Sequence, residues 1–293
     1  MEEKSILKKQ EEARHTFLII SVLLLFCFNI SLGASYVYGG LTLEHHRGGD
    51  EQENFLQLTE DEGTWYMSIV PIMHMLSSLA AFPLSEWLGR KKVLIISTVL
   101  NISGFVIIYL SKIFWVLAFG RGLSSFGAGL GAMMPFILIS EISTIKARAP
   151  LAVINVLSGS SGILISFFFL FIFPASYLIF FSCGIAIMFL LLSPLLPESP
   201  HFLVRKGKLD EARTILERLR GTDYKGVEEE VQEVIKLTEL RKVGGGTSFF
   251  AKWRRRTFLK PLSILMVLMF FISVNGVDCP MNFYGPSMFT EFG

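Results

Sequence analysis

Charged residues stand where apolar sequence should exclude them. Glu86 and Arg90 straddle the end of one apolar run, Glu141 closes another, Arg148 follows shortly after, and Arg121 lies inside a run. Opposite charges at the ends of neighbouring helices can form a salt-bridge cluster. Each pair contributes little when solvated, but a set of them can bias one of two conformations. His74 lies mid-run, where a packed, hydrogen-bonded ring and a proton-transfer group are both open readings. Asp278, flanked by Asn275 and Asn282, is a carboxylate well inside an apolar run, beside the helix-loosening Gly276 and Pro280. Either it sits at mid-membrane, where interrupted helices bind cargo, or the run ends early and it faces outer water. No Ser/His/Asp set, metal-ligand cluster or phosphate loop accompanies these groups, so no enzyme chemistry, metal or cofactor is expected.

The elements that carry them are membrane spans. The chain has 293 residues, 52% of them hydrophobic, with 27 Phe, and a mean hydropathy of +0.53. A helix needs about 20 apolar residues to cross a bilayer. Such runs fall near 17–39, 64–84, 93–111, 114–139, 151–173, 176–196 and 262–288, which predicts an all-α membrane protein with seven spans. The first run is too long for a secretory signal and is read as retained. Cys27, Cys183 and Cys279 all lie in apolar runs and read as buried thiols. The net charge of +2 implies no nucleic-acid partner, but the charges are unevenly placed. Of the Lys and Arg outside the spans, 24 fall on the N-terminal tail and even-numbered loops, against only Arg47 and Lys112 on the other side. This bias predicts a cytoplasmic N-terminus. The first outer loop, Leu41 to Gly63, is acidic and is expected to be solvated, which outweighs a metal role for His45 and His46.

Gly120, Ser124, Gly127, Ala128 and Gly131, with Ser158 and Gly162 on the next span, recur at helical spacing and predict close helix packing. The long polar stretch 197–260 opens on Pro197-Glu198-Ser199-Pro200, where Ser199 can cap a helix starting at Pro200. Leu209, Ala212, Ile215, Leu216 and Leu219 form one apolar stripe, and Val227, Val231, Val234 and Ile235 form another. Both stripes are expected to bury against the inner ends of the spans. Four regions follow: a cytoplasmic tail over 1–16, a six-span bundle over 17–196, a cytoplasmic helical linker over 197–260, and a seventh span within 261–293. The basic residues Lys252, Arg254, Arg255, Arg256 and Lys260 act as a topology signal or touch anionic headgroups.

Four motifs in order resemble the sugar-porter family of the major facilitator superfamily. They are Pro83-Leu84-Ser85-Glu86-Trp87-Leu88-Gly89-Arg90-Lys91-Lys92, Gly120-Arg121 with Glu141 and Arg148, the Pro197–Gly221 segment, and Phe283-Tyr284-Gly285-Pro286-Ser287. Among sugar porters the chain is most similar to insect facilitated trehalose transporters. The resemblance implies a major facilitator fold, alternating access between two six-helix halves, and a sugar as the small-molecule substrate in a lipid bilayer, expected to be the plasma membrane. It makes Glu86, Arg90, Arg121, Glu141 and Arg148 conformational residues. Asn155, Asn275, Asp278 and Asn282 are the candidate cargo contacts. Several positions depart from the family pattern: Trp87 and His201 replace arginines, Val156 replaces a sugar-contacting glutamine, and Ser273, Val274, Val277, Asp278 and Cys279 replace the usual polar set of span 7. Lost polar partners leave sugar hydroxyls uncompensated. No carboxylate lies in span 1, where proton-coupled members carry one, so facilitated diffusion is expected. The chain reads as a complete first half plus span 7, an incomplete form expected not to transport alone. A transport-dead sensor and an inverted seven-span receptor stay open as alternatives.

Overall fold

The computed structural model describes residues 2–47, 56–220, 226–243 and 256–274. Eleven α-helices are described: α1 Glu2–Arg47, α2 Glu60–Leu88, α3 Arg90–Leu110, α4 Phe114–Ala132, α5 Met134–Ile142, α6 Ile145–Ile172, α7 Leu178–Leu192, α8 Pro200–Arg205, α9 Leu209–Arg220, α10 Val227–Val243 and α11 Arg256–Val274. Six candidate membrane spans emerge, Phe17–Leu43, Glu60–Leu88, Arg90–Leu110, Phe114–Ile142, Lys146–Ile172 and Ala175–Leu195. The expected seventh span appears only as α11, whose apolar part Leu259–Phe271 is shorter, and residues 275–293 lie outside the described residues.

The expected boundaries shift for local reasons. Helix α1 starts at Glu2, so the residues read as a tail continue the first span as helix. Helix α2 starts four residues earlier than expected because Thr59 and Glu62 cap it reciprocally: Thr59 N–H donates to the Glu62 carboxylate at 2.9 Å, and Glu62 N–H donates to Thr59 Oγ1 at 3.3 Å. Span 4 divides at Met133 into α4 and α5, because Pro135 has no N–H to continue the ladder. Gly89 turns α2 into α3 at φ +97°, a conformation that costs glycine little, and a side chain there would also strike Glu198.

Close backbone approach organises the bundle. A Cβ at Gly162 would collide with the Ile30 carbonyl, and one at Gly33 with the Gly159 carbonyl, so α1 and α6 touch main chain to main chain. Gly104, Gly120 and Gly127 do the same between α3 and α4, so the small-residue stripe serves packing. Two apolar cores result. One, at the end of the α2–α3 turn, joins Leu24, Val93, Leu138, Phe189 and Leu196; the other joins Val37, Tyr66, Phe105, Leu117 and Leu178. Large apolar side chains such as Leu79, Trp115, Phe171 and Leu191 remain exposed, as a lipid-facing surface requires.

The polar stretch folds partly on itself. Leu219 of α9 enters the first of these cores, but Leu216 packs on Val227 and Val231 of α10, and Ala212 and Val234 pack on α8. Only one end of the first stripe therefore buries against the spans, because α10 and α8 cover the rest. Arg213 ties α9 to α10 by donating to both oxygens of Glu228 at 3.0 Å. Those bonds, and a further one from Gln232, hold the Glu228 carboxyl below its ordinary 4.5. A depressed carboxyl favours the folded state above that value and loses its contribution as pH falls below it. Acidification from about pH 5 to about pH 3 is therefore expected to lower the amide protection factors of α10, taken against the intrinsic rate at each pH, before those of α3; simultaneous loss of protection in both helices would contradict a local role for this pair.

Candidate functional site

At one end of the bundle, the α2–α3 turn assembles a charged cluster. Arg90 is nearly buried; its Nη2 donates to Glu141 at 2.9 Å and to Glu86 at 3.4 Å, and its Nη1 donates to the Ser85 carbonyl at 3.1 Å. Arg205 of α8 pairs with the other oxygen of Glu86. The Phe202 ring lies 6.0 Å from the Arg90 guanidinium, within cation–π range. The start of α3 has no side-chain cap of its own because its cap residue is Gly89. Glu198 supplies that function from far along the chain: its Oε1 accepts from the backbone N–H of Arg90 at 2.9 Å, Lys91 at 3.2 Å and Ser199 at 3.0 Å. A carboxylate at a helix N-terminus satisfies free donors and complements the helix dipole. Five elements thus meet at one ionic joint: α2, α3, α5, α8 and the segment preceding α8.

Three of the five expected conformational residues meet here, Glu86, Arg90 and Glu141. The other two are placed elsewhere. Arg121 is fully buried in the other core, where Nη1 donates to the Ser35 carbonyl at 3.3 Å and the rings of Tyr38 and Tyr66 lie 5.7 and 5.5 Å away. Its Nε and Nη2 have no hydrogen-bond partner among the described residues, and Gly39 leaves the space it fills. Twenty residues of helix separate Arg121 from Glu141, about 30 Å of rise, which places them at opposite ends of the span. Arg148 is exposed near the start of α6 and forms no ion pair among the described residues. Sequence reasoning missed Glu198 and Arg205, although both sit in the segment that it singled out as a landmark.

A second site lies in the middle of the bundle. A cavity of about 270 Å³ is lined by α1, α2, α4, α5 and α6, with Asn29, Tyr36, His74, Phe136, Asn155 and Val156 among its walls. Asn29 Nδ2 donates to Asn155 Oδ1 at 2.6 Å, and both residues are buried. The Asn155 Nδ2 group has no hydrogen-bond partner among the described residues, which leaves two donor hydrogens beside the cavity. The rings of Tyr36 and His74 lie against each other at the same cavity, with centroids 6.0 Å apart. Asn155 was the expected contact here; Asn29, Tyr36 and His74 join it because α1 and α2 turn those faces to the same space. Asn275, Asp278 and Asn282 lie outside the described residues.

Comparison with known proteins places this geometry. The family model described as "Sugar (and other) transporter" matches residues 14–293. A facilitated trehalose transporter of Polypedilum vanderplanki is 30% identical over 238 residues, covering 81% of this chain and 47% of that protein. One from Apis mellifera ligustica is 26% identical over 286 residues, covering 97% and 56%. The chain thus spans about half the length of the curated relatives it matches. Among solved structures, XylE, a proton:xylose symporter of the major facilitator superfamily bound to 6-bromo-6-deoxy-D-glucose, superposes with a TM-score of 0.69 at 19% identity, covering 80% of this chain and 55% of that one. The inward-open xylose transporter XylE from E. coli gives 0.69 at 18% identity, covering 92% and 64%. These likenesses establish the fold.

Proposed function

Because this chain belongs to the sugar transporter family, we propose that the whole protein moves a sugar, trehalose or a hexose, across the plasma membrane by facilitated diffusion and alternating access. The observation that carries this reading is the mid-bundle cavity with its unpartnered amide donors on Asn155. A buried donor without a partner costs free energy in the empty site and recovers it when a ligand oxygen accepts. A sugar offers such oxygens. The remaining walls, Phe136, Val156 and Ile163, are apolar and suit the C–H faces of a pyranose ring. Asn275, Asp278 and Asn282 are the contacts proposed from span 7.

The ionic joint supplies the conformational element. Breaking it exposes Arg90 and Glu141 to water, so its closure and opening can distinguish two arrangements of the inner end. The charge bias supports a cytoplasmic N-terminus, with 1–16 inside, the bundle over 17–196, the linker 197–260 on the inner face, and span 7 within 261–293. Cells expressing the whole protein are expected to accumulate radiolabelled trehalose or glucose. Asn155→Ala is expected to raise KM about 3- to 10-fold at equal surface abundance, the worth of one net hydrogen bond. Absence of uptake of both sugars rejects the cargo assignment.

A further inference from the structure

The mid-bundle cavity has one polar contact whose direction is decided by helix packing. Asn29 of α1 and Asn155 of α6 are both buried cavity walls, and Asn29 Nδ2 donates to Asn155 Oδ1 at 2.6 Å. One turn further along each helix, Gly33 and Gly159 stand in backbone contact, since a Cβ on Gly33 would strike the Gly159 carbonyl. Gly162 meets the Ile30 carbonyl in the same way. Two main-chain contacts, neither of which can rotate aside, therefore hold the asparagines at hydrogen-bond distance. The backbone at Asn155 is tied as well, because Ser158 Oγ donates to the Asn155 carbonyl at 2.6 Å.

An asparagine amide has two ends of nearly the same shape and opposite chemistry, an acceptor oxygen and a donor NH2. Its terminal torsion is broad and roughly two-fold, so an unrestrained Asn155 can offer either end to a ligand. The bond from Asn29 removes that freedom. It occupies Oδ1 and leaves Nδ2, which has no hydrogen-bond partner among the described residues. The side chains of Leu32, Phe136, Val156 and Ile163 are apolar walls of the same cavity and supply no competing acceptor. A sugar hydroxyl both donates and accepts, so it can satisfy either end of an amide. A C–F group accepts weakly and cannot donate, and a C–H group does neither.

We propose that Asn29 is a positioning residue that fixes Asn155 as a donor, so that the cargo is recognised at this wall through an acceptor oxygen and not through a hydroxyl proton. This deepens the sugar reading of the same cavity and rests on it. Orienting the amide in the empty site spares the bound state the cost of ordering it.

The test is competition against uptake of the radiolabelled sugar, glucose or trehalose, in cells expressing the whole protein, with the deoxy and deoxyfluoro analogues of that sugar at each ring position in turn. At one position the deoxy analogue is expected to compete about 3- to 10-fold less well than the parent sugar, the worth of one net hydrogen bond. The deoxyfluoro analogue at that position recovers part of the loss. Asn29→Leu removes the donor and frees Asn155 to turn its oxygen toward the cavity. Every analogue is expected to weaken in that variant, and the advantage of deoxyfluoro over deoxy disappears at that position alone. In an Asn155→Ala background the advantage is already absent, and Asn29→Leu changes no ratio. Asn29→Ala serves where Asn29→Leu does not reach the surface. A uniform loss across all analogues in the Asn29 variant marks a purely structural role and overturns the proposal. So does a deoxyfluoro analogue no better than deoxy at every position in the unmodified protein, which is the result of the reversed amide pair. A ratio that still responds to Asn29→Leu without Asn155 makes Asn29 itself the contact and also overturns it. Absence of any sugar uptake overturns the cargo reading and this proposal together, so the two failures are told apart.

Discussion

Gly162→Val should separate α1 from α6 and lower the apparent melting temperature of the detergent-solubilised protein by on the order of 5–10 °C. The Ile30 carbonyl occupies the space that any Cβ at position 162 would enter, and the atom blocking it belongs to helix backbone, which cannot rotate aside. Overpacking of this kind costs about 1–3 kcal/mol, and each kcal/mol shifts Tm by about 2–4 °C in a chain of this size class. The displacement also pulls Asn155 from Asn29, whose 2.6 Å bond crosses the same interface. Gly159→Ala supplies the control. That residue lies three positions earlier on the same helix, and nothing stands within 4 Å of a Cβ added there. Its propensity gain over glycine is up to about 1 kcal/mol, so Gly159→Ala should be neutral or slightly stabilising. An equal loss in Gly159→Ala, where an added Cβ meets nothing and helix propensity rises, would contradict the Gly162–Ile30 contact as the cause.

Arg90→Ala should be the most damaging change in the ionic joint. The Arg90 and Glu141 side chains are only 6% and 14% exposed, so removing the guanidinium leaves a carboxylate in a nearly dry site. Truncating one partner of a buried ion pair costs about 3–5 kcal/mol. Glu86 keeps Arg205, so it is partly spared, and the loss falls mainly on Glu141. Arg90→Lys keeps the charge but cannot reach Ser85, Glu86 and Glu141 together from one ammonium, so only partial rescue is expected. Arg148→Ala, at an exposed position outside the cluster, should change stability by less than about 0.5 kcal/mol. Thermal denaturation of the three variants side by side checks the order. A large loss in Arg148→Ala, or full stability in Arg90→Ala, would contradict the observed joint.

Much of the fold was legible along the chain because a bilayer imposes a length and composition on each span independently. The six runs ending at Leu196 needed no knowledge of their neighbours, and the boundary differences at Glu60 and Met133 came from a capping box and a proline acting over a single turn. The site was legible only in part. Glu86, Arg90 and Glu141 were found through their signs and positions at span ends. Arg121 was grouped with them by a shared motif, which says nothing about axial separation, and Arg148 by its sign, which says nothing about exposure. Glu198 and Arg205 escaped because their partners lie 108 and 119 residues away.

The sequence by itself determined that the chain is a helical membrane protein resembling the sugar transporter family, where its first six spans lie, and that its charges favour one side. The spans are a local property, decided by how many consecutive residues are apolar, the side preference follows from Lys and Arg placement, and the family was carried by the resemblance of four motifs in order. The tertiary structure alone decided which faces meet. Rotation of each helix about its axis is set by side-chain and glycine packing across 100 residues or more, as with Asn29 and Asn155, 126 positions apart. That rotation turned four polar residues toward one cavity, sent Arg121 to the rings of Tyr38 and Tyr66, and gave the start of α3 a carboxylate cap from the segment that leads into α8.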